Sequence, residues 1–129
     1  MEVGFASTRL AKVCNDTPSR VRKLGKERSA KLLLRLEQLA ASANLADFHR
    51  LPQARCHQLK NDRDEQFSAD LDGPYRLIFE VANDPVPRRP DDGIDLEKVT
   101  RVRVLEIADT HRRTDQGRLC RRRRLTAPG

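Results

Sequence analysis

Tryptophan is absent from this chain, which has a single tyrosine, a single methionine and four phenylalanines. So few rings cannot fill an interior, and the core must be built from Leu, Val and Ile around them. No stretch approaches the roughly 20 consecutive apolar residues of a membrane span. The opening MEVGFASTRL has no apolar run of signal-peptide length, so a cytoplasmic protein without membrane contact is expected. Cys14, Cys56 and Cys120 form no CxxC pair and are odd in number. That pattern excludes a disulfide framework and fits free thiols in a reducing compartment, with Cys14 and Cys56 packed as small hydrophobes. Three scattered histidines beside three scattered cysteines show no zinc-ligand spacing, and no cofactor is expected.

Charge, by contrast, is plentiful at 35% of residues. The net charge of +7 belongs mostly to the end of the chain, where seven arginines stand against one aspartate from Arg112 onward. Residues 1–111 are close to neutral, so any hold on nucleic acid by that part must come from local clustering. Residues 112–129 lack periodicity and have the composition of a disordered basic tail. A chain of 129 residues suits one domain with a real core.

Glu2 to Phe5 reads as a first strand, and Leu10, Val13 and Cys14 as a helical turn or two that stops before Asn15-Asp16. Thr17-Pro18 combines a capping hydroxyl with proline at the first helical position. The helix that follows carries Val21, Leu32, Leu36, Leu39 and Ala43 on one stripe and Arg20, Lys23, Glu27, Lys31 and Arg35 on the outward face. Gly25 weakens its early turns, Asn44 is the expected stop, and Pro52 prevents its continuation. After Pro52 the period falls to two: Cys56 to Leu59, Phe67 to Leu71 and Leu77 to Val81 read as short strands with turns at Asn61-Asp62 and Asp72-Gly73-Pro74. Asn83 to Lys98, with three prolines and a glycine, reads as an excursion. Val99 to Ile107 resumes as a strand, with Val102 and Val104 on one face and Arg101 and Arg103 on the other. Leu105 and Ile107 share the arginines' parity, which predicts a strand end covered on both faces. The fold class is α+β, with helices first and then an antiparallel meander against which the long helix packs.

The segment RCHQLKNDRDEQFSADLDGPYRLIF, from Arg55 to Phe79, concentrates the chemistry. It places His57, Lys60, Arg63 and Arg76 on or between three successive strands. Cleaving a phosphodiester without a metal requires proton transfer to and from sugar oxygens and fixed cations around the phosphorane. Histidine titrates near pH 6.5 and suits the first task; guanidinium and ammonium groups suit the second. His57 is the first candidate for proton transfer and His111 the second. Lys60 and Arg76 are candidate catalytic cations, and Arg55 and Arg63 candidate phosphate contacts. Taken alone, these residues also fit plainer roles: a half-exposed strand histidine, solvated turn charges beside Asp62 and Asp64, and an outward arginine in a surface ion pair. His57 and Lys60 need not share a face of an ideal strand, so their convergence requires a bend after Leu59.

The run HxLKxDRxxxFSxDLxxPYRLIFE, from His57 to Glu80, resembles the HigB-type toxins of the RelE/ParE superfamily, the killer proteins of bacterial toxin–antitoxin modules. Similarity extends to NLADFHRLPQARCHQLK from Asn44, to ANDPVP from Ala82 and to VRVLEIADTH from Val102. It covers residues 1–111 as a toxin domain and leaves 112–129 unmatched. The resemblance implies an N-terminal helical hairpin packed on a small twisted antiparallel sheet and metal-independent cleavage of mRNA in the ribosomal A site. It also implies a cognate HigA-like antitoxin with a helix-turn-helix domain. By matching position, His57 and Lys60 fall on the HxLK motif, Arg76 on the YR pair, and Asp109 and His111 on a terminal acidic-aromatic-His motif, with Asp109 orienting His111 or capping the strand end. Asn61 and Glu65 replace glycines usual in the family, and Thr110 replaces a tyrosine that could stack on a base. Two other readings stay open on the sequence: a ParE-like inhibitor of a protein such as DNA gyrase, and an inactive remnant that still binds its antitoxin.

Overall fold

Short polar side chains at three helix starts, and Gly25 at the fourth, divide the N-terminal half into four helices. The computed structural model describes residues 1–59 and 65–109; the basic tail expected at 112–129 lies outside these. Helix α1 (Thr8–Asn15) is capped by Ser7, whose hydroxyl accepts from the Leu10 N–H. Helix α2 (Thr17–Leu24) is capped by Asp16 rather than Thr17, so Thr17-Pro18 sit one position further into the first turn than expected. The carboxylate of Asp16 accepts from both the backbone and the hydroxyl of Ser19, 3.1 and 2.6 Å away, which holds its pKa below the usual aspartate value.

The long helix does break at Gly25, whose φ of 87° is open to glycine and strained for other residues. Helix α3 (Lys26–Ala41) then runs until Ser42, and Asn44 caps α4 (Leu45–His49) instead of ending α3. The last turn of α3 has no basic side chain. Its C-terminal carbonyls are met by the Met1 ammonium, which donates to Ala40 O at 2.8 Å and Ser42 O at 2.5 Å. None of the helices among the described residues is long and apolar enough to cross a membrane.

Strands β1 (Glu2–Phe5), β2 (His57–Gln58), β3 (Gln66–Asp70), β4 (Tyr75–Val81) and β5 (Arg101–Asp109) form one open sheet in the order β1-β5-β4-β3-β2. β2 to β5 pair antiparallel as expected, but β1 lies parallel to β5. The sheet is therefore mixed, a correction to the wholly antiparallel expectation. A parallel partner needs a long connection, and the entire helical layer between β1 and the meander supplies one. The helical part is likewise four helices, more than a simple hairpin. Residues 83–98 form the expected excursion, with an isolated Arg88–Ile94 bridge and a single 3₁₀ turn at Leu96–Lys98.

A bulge corrects the reading of β5. Ile78 pairs with Glu106 but Phe79 pairs with Val104, so Leu105 is an extra residue. The parity flips there: Ile107 falls opposite Leu77 and rejoins the core face of Val102 and Val104. The parity that Leu105 and Ile107 share with the arginines is thus a phase shift, but the end of the strand is covered on both faces as expected: Ala108, on the face opposite Ile107, is 8% exposed, and Ile78 on that same face 2%.

Leu32 and Leu39 of α3, Leu45 and Phe48 of α4, and Phe67, Leu77, Phe79, Val99, Val102 and Val104 make the fully buried core between helices and sheet. Val21 and Ala43, expected on the buried stripe, are exposed. Arg20 and Arg35, expected in solvent, are 3% and 4% exposed. Each is kept inside by acceptors that charge patterning cannot reveal. Arg20 donates to Ser29 Oγ, Cys14 O and Thr17 Oγ1 at 2.9, 2.7 and 3.0 Å. Arg35 donates to Asp70 O, Gln53 O and Gln38 Oε1 at 2.7, 2.8 and 3.1 Å.

Cys14 and Cys56 are buried free thiols. Burial pushes the Cys14 thiol up to about 11, against the pull of nearby Arg20, and the Cys56 thiol up to about 12. Their folded values lie above the ordinary one, so the stabilising difference is whole below pH about 9 and is lost as pH rises toward the folded values. Stability should fall above pH about 9 by about 1.4 kcal/mol per pH unit for each thiol. Urea unfolding of the wild type and Cys56→Ala at pH 8 and 10.5 checks this: the alkaline loss should be smaller in the variant.

Candidate functional site

Pro52 and Arg55 set where the sheet begins. Pro52 rules out continuation of the helical region, and Arg55, at a φ of 47°, turns the chain into β2. Gln58 then pairs with Phe67, whose side chain is in the core, and His57 pairs with Ser68 on the opposite parity. His57 is exposed on the sheet face turned away from the core cluster. Ser68 pairs in turn with Ile78, and Ile78 with Glu106, so four strands contribute one transverse row. Ser68 and Ile78 are 3% and 2% exposed and form its floor.

Arg76 shares Ile78's parity and pairs with Asp70 in the adjacent row. With strands about 4.8 Å apart and alternate residues about 6.8 Å apart, the Cα atoms of His57 and Arg76 lie roughly 12 Å from each other on this face. Both side chains rise from the same face of the sheet. The guanidinium of Arg76 is fixed by three acceptors: Nε lies 3.0 Å from Asp70 Oδ1, and Nη1 donates to Gly73 O at 2.7 Å and Tyr75 O at 3.0 Å. Arg55 reaches the other oxygen of the same carboxylate, Nε to Oδ2, at 3.4 Å.

Three predicted site residues, Arg55, His57 and Arg76, thus share one face. Asp109 ends β5 opposite Tyr75, next to Ala108, which lies across from Arg76. Lys60, Arg63 and His111 lie outside the described residues, as do Asn61 and Thr110. Asp70 went unnoticed in the sequence. The signal that would have found it is symmetry: in DLDGPYR, Asp70 and Arg76 stand at equal distances from Gly73, the arrangement of opposite charges facing each other across a hairpin.

At the start of β3, Glu65 adopts a φ of 72°. This is the position where the resembled family usually has glycine, and the backbone keeps a conformation that favours glycine. The Glu65 carboxylate accepts from Arg88 Nη1 and Nη2 at 2.6 and 3.0 Å, a fork that lowers its pKa and ties the Pro-rich excursion to the sheet. At the other side of the hairpin, Arg28 lies 3.6 Å over the Tyr75 ring. The far end of the open face is internally neutralised, with Arg103 paired to Glu80 and Arg101 to Glu2. On this face, among the described residues, cationic donors able to meet a ligand are therefore concentrated around Asp70. The chemistry available there is bidentate anion binding by guanidinium groups beside an imidazole able to move a proton. No known family model matches this chain, and no curated protein matches it.

Proposed function

We propose that this chain is a HigB-like toxin of the RelE/ParE superfamily, with a RelE-like fold, that cuts mRNA on translating ribosomes without a metal and is restrained by a cognate HigA-like antitoxin. The observation that carries this reading is the company His57 keeps: an exposed imidazole on the same open sheet face as Arg55 and Arg76. The separated segments of sequence resemblance support it, because they agree in order over residues 1–111. In the reaction, the 2′-hydroxyl gives up its proton and its oxygen attacks the adjacent phosphorus. The bond to the 5′ oxygen breaks, that oxygen takes a proton, and the products are a cyclic phosphate and a free 5′-hydroxyl. His57 moves the proton, and Arg76 with Arg55 stabilises charge on the non-bridging oxygens.

Inducing the protein in bacteria and mapping new mRNA 5′ ends tests this reading. Cuts in register with codons are the expected result. DNA damage without new ends would point instead to inhibition of a target such as gyrase, and an absence of any growth effect to an antitoxin-binding remnant.

A further inference from the structure

We propose that Asp70 is a positioning residue, whose carboxylate holds Arg55 and Arg76 as a two-guanidinium seat for one phosphate, on a backbone fixed by buried Arg35. The inference rests on the nuclease reading in one respect: the phosphate is taken to belong to the RNA linkage beside His57.

The two arginines come from segments 21 positions apart in the sequence and would repel each other if brought together alone. Asp70 separates them, one guanidinium Nε on each carboxylate oxygen, at 3.0 and 3.4 Å. The three groups together carry a single positive charge, which matches one phosphodiester. Arg76 spends Nε and Nη1 on Asp70, Gly73 O and Tyr75 O, and Nη2 takes no partner among the described residues. Arg55 is mostly exposed and meets Asp70 through Nε alone. Both therefore keep terminal nitrogens for a ligand, Arg76 with its orientation already set and Arg55 tethered at one point.

The backbone beneath is braced with unusual thoroughness for a surface ion pair. Arg35 reaches from α3 through the core to donate to Gln53 O and Asp70 O at 2.8 and 2.7 Å. The Asp70 N–H donates to Ala54 O at 2.7 Å. Both backbone polar groups of Asp70 are thus tied into the turn that carries Arg55. Arg55 itself is held in the left-handed region, at a φ of 47°. An ion pair this exposed does not repay that strain, and strain retained in a braced turn points to a functional geometry.

Nitrogen-15 spectra of the arginine Nε groups during titration with inorganic phosphate into the millimolar range provide a readout independent of cleavage. In the wild type, the Arg55 and Arg76 signals should shift together along one binding curve. In Asp70→Ala, checked as folded by its amide spectrum, the shared response should disappear. On programmed ribosomes its kcat should fall at least 10-fold with KM changed less than 3-fold, and Asp70→Glu should recover part of the loss. An Asp70→Ala protein with an unchanged phosphate response and unchanged kcat would overturn the proposal. So would a wild type that cuts mRNA while its two arginine signals ignore phosphate, with the nuclease reading left intact. A wild type that shows the paired response, lost in Asp70→Ala, but cuts no mRNA would uphold the seat and remove the nuclease reading.

Discussion

Replacing His57 with alanine should slow mRNA cleavage on purified ribosomes by about 10²–10⁴-fold, the range a positioned general acid or base contributes. The effect should be almost entirely chemical. His57 is exposed on a two-residue edge strand, and surface substitutions of this kind usually change stability by no more than about 0.5 kcal/mol. Binding to the proposed antitoxin should survive. The comparison of interest is a single-turnover rate with saturating ribosomes, for the wild type and for His57→Ala at matched melting temperatures. Equal rates would remove His57 from the mechanism and leave the arginine pair as a binding site only.

Phe79→Ala should unfold the protein's margin rather than its chemistry. Phe79 has no exposed surface. It stands edge-on to Phe48, with ring centroids 6.0 Å apart, and stacks on Phe67 at 5.7 Å. Phe48 and Phe67 are themselves fully buried, so either could fill the space only by leaving its own packing. Truncation of a buried phenylalanine costs about 3–5 kcal/mol, against a total stability of about 5–15 kcal/mol for a domain. Urea unfolding should therefore show a midpoint lowered by about a fifth or more. Leu34→Ala, on the exposed side of α3, is the control and should barely move it. A loss below about 1 kcal/mol in Phe79→Ala would mean that the core closes around the missing ring.

The alternation of the strands, the Pro-rich excursion and the break at Gly25 were all legible because they depend on local residue chemistry. What escaped depends on partners far along the chain. Arg35 looks like a solvent charge because its acceptors are main-chain carbonyls at residues 53 and 70, and backbone carbonyls leave no mark in a sequence. The parallel placement of β1 escaped for a related reason: period two gives a strand its faces but not its direction. At the site, His57 and Arg76 could be assigned to strands, and their common face follows once hairpin registers are known. Asp70 was passed over because an aspartate before a turn has so many ordinary explanations. Glu65 is the reverse case. Its identity departs from the resembled pattern, yet its backbone keeps the left-handed conformation that glycine would adopt freely.

Leu105 matters more for its presence than for its side chain. As the extra member of β5, it shifts the alternation by one. If the strand ran on through it without the bulge, Glu106 would face the hydrocarbon interior and Ile107 the water, whereas a chain shortened by this one residue would join Val104 to Glu106 in regular alternation and keep both on their present faces. A one-residue deletion at this point should therefore be better tolerated than a one-residue insertion. The length of the strand between Val104 and Glu106 carries structural information that a catalogue of amino-acid preferences would miss.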